Sequence, residues 1–133
     1  MKEPVFLTHF PKKIKAFYME PNEKNPELCD STDLLLPGVG EIVGGSVRMS
    51  DYDELYKIVR EQCGIDEPNL TEEEQIAAQE MVDSFEFYLE LRKYGSFFTS
   101  GFGFGLSRFL VYLGCPHIYY ATLFPRTVSR LTP

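Results

Sequence analysis

The sequence of 133 residues is poor in the side chains that most often bind metals or form disulfides. Its three cysteines, Cys29, Cys63 and Cys115, are odd in number and have no Cys-x-x-Cys or Cys/His ligand spacing, so they indicate neither a disulfide framework nor a zinc site. Only two histidines are present, His9 in an apolar run and His117 after a proline. A lone histidine is more often structural or solvated than catalytic, so we assign neither to chemistry.

A surplus of basic residues is also lacking. The chain has 13 basic and 20 acidic residues, which gives a formal net charge of -7. Its only tight basic group is Lys12, Lys13 and Lys15, while Arg126 and Arg130 lie near the end. Because such a chain repels a polyanion at long range, direct binding of nucleic acid by this chain alone is disfavoured.

Long hydrophobic runs are absent as well. The first residues, MKEPVFLTHF, contain no apolar signal-peptide core, and no stretch approaches the length of a membrane span. We therefore expect a cytoplasmic protein that has no membrane partner.

The composition nevertheless provides for one hydrophobic core, since 44% of the residues are hydrophobic and 14% aromatic. Residues rich in β-formers predict a strand over 4–10, a second strand over 11–19, and two short buried strands within 33–48 that the PGVG segment interrupts. Glu41 and Arg48, seven positions apart, belong on opposite faces of a regular strand. A bulge at Gly44-Gly45 is expected to bring them to the same face.

Three helices are predicted from capping signals and apolar spacing. The first begins at Ser50 as N-cap and ends before Gly64, and the second runs from Thr71 to about Tyr94. The third begins near Leu106, and its predicted buried stripe is Leu106, Phe109, Leu110 and Leu113. This set of elements predicts an α+β fold, an antiparallel β-sheet with flanking helices.

The segment GFGFGLSRF, residues 101–109, has glycine at every second position. It matches neither the dinucleotide-binding fingerprint nor a P-loop, but its alternation has the period of a strand with one bare face and one apolar face. One interpretation is a weakened strand that another piece of backbone approaches closely. The other is a strand on which a flat ring lies, with Arg108 covering the ring or contacting a phosphate.

Taken together, five segments resemble the C-terminal part of the catalytic domain of class II aminoacyl-tRNA synthetases, specifically the asparaginyl-tRNA synthetases of the eukaryotic cytosolic type. They are PVFLTHFPKKIKAFYM (4–19), DLLLPGVGEIVGGSVR (33–48), YLELRKYGS (88–96), GFGFGLSR (101–108) and LFPRTVSRLTP (123–133). The resemblance implies that residues 1–133 are a single partial catalytic domain. It corresponds to the second half of the class II sheet, with the third signature motif at 101–108.

The resemblance also implies roles for individual residues. Adenine of ATP lies on the glycine strand in this family, so the expected ATP-binding residues are Gly101, Gly103, Gly105, Arg108 and Asp33. Asp33 and Glu41 match carboxylates near the phosphates and magnesium, an ion that prefers carboxylate oxygens. Arg108 and Glu41 are the expected catalytic residues. Arg48 matches the arginine that holds the side chain of the amino-acid substrate, although an arginine can donate to the oxygen of an amide or of a carboxylate.

Several positions depart from the family pattern. Ser107 replaces an acidic residue, Thr99 and Ser100 stand in place of the start of an HGG sequence, and Tyr119 and Tyr120 replace an Arg-Asp pair. The first two signature motifs and the anticodon-binding domain have no counterpart in the sequence. The missing first motif forms the dimer in this family, and the missing second motif supplies the arginine that grips the α-phosphate.

Three functions therefore remain open at the level of the sequence. The chain is part of an asparagine–tRNA ligase that uses ATP, magnesium and asparagine, and tRNA only within a full-length enzyme. Alternatively, it is a truncated paralogue that binds nucleotide or protein without catalysis, or a synthetase-like enzyme that forms an amide without tRNA. Because half of the sheet is missing, we expect an exposed strand edge and apolar face, and hence self-association or a partner chain.

Overall fold

The computed structural model describes residues 2–128, so residues 129–133 of the last resemblance segment lie outside the described part. Four strands form one antiparallel sheet in the order β1-β2-β3-β4: β1 (Val5–Thr8), β2 (Ser31–Leu36), β3 (Gly40–Arg48) and β4 (Thr99–Phe104). The helices are α1 (Tyr52–Cys63), α2 (Glu72–Asp83), α3 (Glu86–Lys93) and α4 (Leu106–Tyr112). The predicted α+β fold is therefore confirmed.

The prediction of a second strand over residues 11–19 is wrong. A 3₁₀ turn, Lys12–Ile14, follows Pro11, and only isolated bridges join this segment to the sheet region, one of them between Met19 and Arg48. The amide of Met49 donates to the carbonyl of Tyr18 at 2.9 Å. The segment is thus fixed beside the end of β3 without becoming a strand of its own.

Helix α1 begins one residue later than predicted. Asp51, not Ser50, is the N-cap, and its carboxylate accepts from the amide of Glu54 at 2.8 Å. Gly64 ends the helix in the left-handed conformation with φ 70°, as its position after the helix indicates.

The single helix predicted over 71–94 is two helices, although its capping box at Thr71 and Glu74 is present. The break lies at Ser84 and Phe85. The Ser84 hydroxyl donates to the carbonyl of Met81 at 2.6 Å, and such bonds between side chain and backbone compete with helix continuation. Phe85 packs its ring edge-on against Phe17, with ring centroids 5.2 Å apart.

The core lies where these helices meet the end of β3. Its buried side chains come from the segment after β3 and from α1, α2 and α3, namely Met49, Leu55, Val59, Val82 and Leu89. The predicted buried stripe of α4 is wrong, because no residue of that helix is buried and Leu106, Leu110 and Leu113 are exposed. Among the described residues, no helix combines the length and apolar character needed to cross a membrane.

Candidate functional site

The alternating glycines of β4 lie opposite glycine or polar residues on the neighbouring strands. Across the sheet, Gly101 lies opposite Ser46, and Gly103 lies opposite Gly44. Ser46 and Gly44 lie in turn opposite Ser31 and Asp33 of β2. Because cross-strand partners share a face, these positions form one surface, which we call the glycine face.

A bulge in β3 adds Glu41 to the glycine face. Leu34 pairs with Val43 but Leu35 pairs with Glu41, so Ile42 is the extra residue. One extra residue between Glu41 and Arg48 compensates for their odd separation and places both on the glycine face. The predicted common face is thus confirmed, whereas the predicted position of the bulge, at Gly44-Gly45, is wrong.

The carboxylates of Glu41 and Asp33 converge above Gly44. A Cβ atom on Gly44 would lie 2.6 Å from Oε1 of Glu41 and 3.5 Å from Oδ1 of Asp33. The other oxygen of Asp33, Oδ2, accepts from Nζ of Lys15 at 2.7 Å, and this Lys15 amine lies 3.8 Å from the ring centroid of Phe10. Asp33 therefore directs one oxygen toward Glu41 and the other toward a cation.

The described residues contain no group of three or more His, Cys, Asp or Glu side chains placed to hold a metal ion. Magnesium, however, is usually bound by one or two carboxylates together with the phosphates of a substrate and several waters. The free Oδ1 of Asp33 and the carboxylate of Glu41 fit that mode of binding. Both side chains occupy one face and approach the same bare backbone.

Arg108 lies at the opposite end of β4 from Arg48. It belongs to the first turn of α4, and its Nη1 donates to the backbone carbonyl of Glu41 at 2.7 Å. The next carbonyl of the bulge, that of Ile42, accepts from the amide of Gly105 at 2.7 Å. The bulge therefore anchors both the beginning of α4 and the guanidinium that α4 carries.

Arg48 is held at the Gly101 end of the glycine face. Its Nη1 donates to Oγ of Ser46 at 3.0 Å, and its Cζ lies 4.7 Å from the ring centroid of Tyr18. A Cβ atom on Gly101 would lie 3.2 Å from Nη2 of Arg48. The guanidinium is thus contacted from three different parts of the chain.

Gly101 and Gly103 of β4 and Gly105, which follows the strand, have different surroundings. Gly101 has Arg48 above it, while a Cβ on Gly105 would meet the Ile42 carbonyl oxygen at 3.4 Å. At Gly103 a Cβ would meet no atom of the described residues within 4 Å. An open cleft of about 480 Å³ extends over this position, with Glu41, Gly44 and Arg108 in its wall.

The structure brings Glu41, Gly103, Gly105 and Arg108 together around this cleft. Asp33 lies beside it, near Gly44, whereas Arg48 and Gly101 lie outside its lining. Two residues beside the site, Lys15 and Tyr18, were not predicted as site residues. The only available signal was the position of Lys15 in the tight basic group, and nothing in the spacing links Tyr18 to Arg48 thirty residues later.

The positions that depart from the family pattern lie in β4, in α4 and in a later 3₁₀ turn. Thr99 and Ser100 begin β4, and Ser107 lies in the first turn of α4. Tyr119 and Tyr120 lie in a 3₁₀ turn, Ile118–Ala121, and their rings pack edge to face with centroids 5.6 Å apart.

Comparison with known proteins identifies the family. The sequence profile of "tRNA synthetases class II (D, K and N)" matches residues 1–128, and the chain belongs to this family. An asparagine–tRNA ligase from Thermococcus kodakarensis is 42% identical over 134 residues. That alignment covers 99% of this chain but only 27% of the relative, so the chain spans about a quarter of its length.

Two solved structures have the same fold as the chain. Asparaginyl-tRNA synthetase from Pyrococcus horikoshii complexed with asparaginyl-adenylate is 39% identical, with a TM-score of 0.76. The enzyme from Entamoeba histolytica, also in complex with asparaginyl-adenylate, is 40% identical with a TM-score of 0.76. Each alignment covers 98% of this chain and 27% of the solved chain. Because the two identities are nearly equal, the eukaryotic cytosolic type stays a prediction.

Proposed function

We propose that the chain is the C-terminal catalytic-domain portion of an asparagine–tRNA ligase and that its glycine face binds ATP and asparagine. The observation that carries this proposal is the order of groups along one face: Arg48 at one end of β4, an open position at Gly103 level with Asp33, and Arg108 with Glu41 at the other end. The relatives solved with asparaginyl-adenylate support asparagine as the amino acid.

In this proposal adenine lies over Gly103, where the backbone offers a flat surface without a Cβ atom. Arg108 extends along the wall of the cleft, where its planar guanidinium can stack on a ring or donate to phosphate oxygens. One of its five N–H groups bonds to the Glu41 carbonyl, which leaves the others for ATP.

Asp33 and Glu41 would hold magnesium together with phosphate oxygens of ATP. The ion, when bound, neutralises charge on the phosphates. The Lys15 ammonium compensates one oxygen of Asp33 and leaves the other facing Glu41. The ion pair with Lys15 therefore reduces the electrostatic repulsion between the carboxylates of Asp33 and Glu41.

The proposed reaction is adenylation of asparagine. A carboxylate oxygen of asparagine attacks the α-phosphorus of ATP, an O–P bond forms, and the bond from the α-phosphorus to the bridging oxygen breaks with release of pyrophosphate. Arg48 holds the side chain of asparagine, and Arg108 with Glu41 positions the nucleotide. Positioning and charge stabilisation account for most of the catalysis in such transfers. Transfer to tRNA belongs to a full-length enzyme.

Self-association or binding of a partner chain is also proposed. On the face opposite the glycines, Phe6 and Phe102 are 66% and 72% exposed, and within residues 2–128 β1 and β4 each pair with one strand only. Exposed aromatic side chains and unpaired strand edges favour association. Residues 1–133 are thus proposed as one partial domain whose sheet is extended by another segment or chain.

A non-catalytic paralogue that binds nucleotide is the second candidate. It is favoured by Ser107 and by Tyr119 and Tyr120, which remove charges at positions where the family has charged side chains. The cleft, Arg108 and both carboxylates are compatible with this candidate as well.

Calorimetric titration with ATP tests the shared part of the two candidates, using Gly103→Val and the control Ser100→Val. Ser100 belongs to the opposite face of the same strand, so both variants add a valine to β4. We expect ATP binding by the parent chain and Ser100→Val, and at least a tenfold weaker affinity for Gly103→Val, because its side chain fills the space of the ring. Equal ATP binding by Gly103→Val would show that the ring lies elsewhere.

A further inference from the structure

Gly101 shares the alternation of the other two glycines, but its surroundings differ from theirs. A Cβ atom at this position would lie 3.2 Å from Nη2 and 3.4 Å from Nε of Arg48. At 3.2 Å a neighbouring group has to move by a few tenths of an ångström. At Gly103, two residues along the same strand, a Cβ atom would meet nothing within 4 Å.

The guanidinium of Arg48 is bounded by contacts of three kinds. The backbone of Gly101 lies against it, the ring of Tyr18 lies 4.7 Å from Cζ, and Oγ of Ser46 accepts from Nη1 at 3.0 Å. Ser46 is itself only 5% exposed. A planar cation that lies close to a ring and to bare backbone, with one edge hydrogen-bonded, has little freedom to rotate.

Tyr18 is fixed in place by the main chain. Its carbonyl accepts from the amide of Met49 at 2.9 Å, and the amide of Glu20 donates to the carbonyl of Val47 at 3.1 Å. These two bonds flank Arg48 on β3 and join the Tyr18 segment to that strand. The ring is consequently held beside Arg48 by backbone on both sides.

We infer that Gly101, Tyr18 and Ser46 are positioning residues for Arg48, and that Gly101 serves the amino-acid subsite and not the nucleotide subsite. The inference rests on the proposed function, in which Arg48 holds the side chain of asparagine. The uncommitted N–H groups of the guanidinium then point in a fixed direction, so an amide or carboxylate oxygen is recognised at a defined place. A side chain at Gly101 shifts that place without altering the nucleotide subsite.

Gly101→Ala and Gly103→Ala are a matched pair for the test, because both add one methyl group to the same face of β4. Titration with L-asparagine and, separately, with ATP measures both subsites. We expect Gly101→Ala to weaken asparagine binding on the order of tenfold, since a misplacement of about 1 Å can cost 10²-fold and the shift here is smaller. ATP affinity of Gly101→Ala stays within about twofold of the parent chain, and Gly103→Ala shows the reverse pattern.

Tyr18 is tested with Tyr18→Phe, which keeps the ring, and Tyr18→Leu, which removes it. We expect Tyr18→Phe to bind asparagine like the parent chain and Tyr18→Leu to bind about tenfold less tightly. Far-UV circular dichroism of each variant shows whether it has the parent fold. A loss that Tyr18→Phe shares with Tyr18→Leu would overturn the role of the ring.

A readout without ligand separates failure of this inference from failure of the proposed function. Phenylglyoxal modifies accessible arginines, and mass spectrometry gives the rate at Arg48 in native protein relative to protein in urea. We expect protection of Arg48 in the parent chain and in Gly103→Ala, and faster modification in Gly101→Ala and Tyr18→Leu. If this pattern appears without asparagine binding, positioning holds and the proposed function fails. Equal rates in Gly101→Ala, Tyr18→Leu and the parent chain would overturn the inference.

Discussion

Neighbouring glycines in this sheet serve different physical purposes. Gly44 leaves room for the Glu41 carboxylate, and Gly45 lies so near Phe102 that a Cβ atom would approach the Cβ of that residue to 2.9 Å. Gly101 accommodates Arg48, whereas Gly103 faces open space. The alternation in the sequence therefore predicted a bare face correctly. It could not show which glycine makes room for a neighbouring side chain and which one leaves space for a ligand. That difference depends on residues distant in sequence.

Glu20 is a residue whose charge destabilises the fold. Its Oε2 is buried without a hydrogen-bond partner among the described residues, and burial is the main cause that raises its pKa above 4.5, followed by repulsion from Glu54. The backbone amide of Ser50 opposes this shift, while Asp30 and Asp51 add to it. Because the folded state binds this proton more tightly, stability is highest below the unfolded pKa and is lost as pH rises through the folded value.

Glu20→Gln should therefore stabilise the protein at pH 7, since an amide of the same shape carries no charge. We expect a gain on the order of 0.5 kcal/mol in the free energy of unfolding, the size usual for a partly exposed substitution. Urea unfolding measures this gain, which should shrink at pH 4, where Glu20 of the parent chain takes up its proton. Glu23→Gln, an exposed neighbour, is the control. A gain that is equal at both pH values would contradict the assignment.

At the scale of elements, the bulge of β3 organises more of the site than any other feature. It turns Glu41 to the glycine face and presents the carbonyls of Glu41 and Ile42 to Arg108 and Gly105. The sequence favoured a bulge at Gly44-Gly45 because glycine pairs are common in bulges. In the structure these two glycines instead leave room for Glu41 and Phe102, which lie too close for a Cβ atom. The bulging residue, Ile42, is a buried apolar side chain that carries no local signal.

Gly105→Pro tests whether the bulge holds Arg108 in place. Gly105 has φ -78°, which proline accepts, and it follows an extended residue. The substitution removes the amide that donates to the Ile42 carbonyl and puts the proline Cδ against that oxygen. We expect the start of α4 to loosen and phenylglyoxal to modify Arg108 about threefold or more faster, because one net hydrogen bond of about 1 kcal/mol is lost. Gly105→Ala retains the amide and should react like the parent chain. If the two variants react alike, Arg108 is not anchored through Gly105.

At the scale of the whole molecule, the described residues form a core on one side and leave a sheet face exposed on the other. The buried core cluster gathers around α1, α2 and α3, whereas Phe6 and Phe102 on the sheet remain in solvent. The chain also spans about a quarter of its relatives. The α+β class and the family could be predicted from local patterns and segments. The packing of Phe85 on Phe17 at the helix break and the pairing of Lys15 with Asp33 depend on tertiary contacts, which those patterns do not encode.

The purified chain should not catalyse asparagine-dependent ATP–pyrophosphate exchange by itself. Adenylation develops negative charge on the α-phosphate and pyrophosphate, and the arginine that the family places on the α-phosphate belongs to its second motif, for which this sequence has no counterpart. Loss of one preorganised charged contact typically costs about 10²- to 10³-fold in rate. Loss of the rest of the sheet should cost more, because a displacement of about 1 Å can already cost 10²-fold.

Complementation decides between the two candidate functions. The Entamoeba histolytica synthetase lacking the 27% that aligns with this chain is mixed with the purified chain, and exchange is measured. Exchange that depends on both chains, and that an Arg108→Ala variant does not restore, is the result expected of a catalytic-domain portion. Robust exchange by the 133-residue chain alone would contradict the requirement for the missing motif. If the mixture is inactive although the parent chain binds ATP, the nucleotide-binding paralogue is favoured over the catalytic-domain portion.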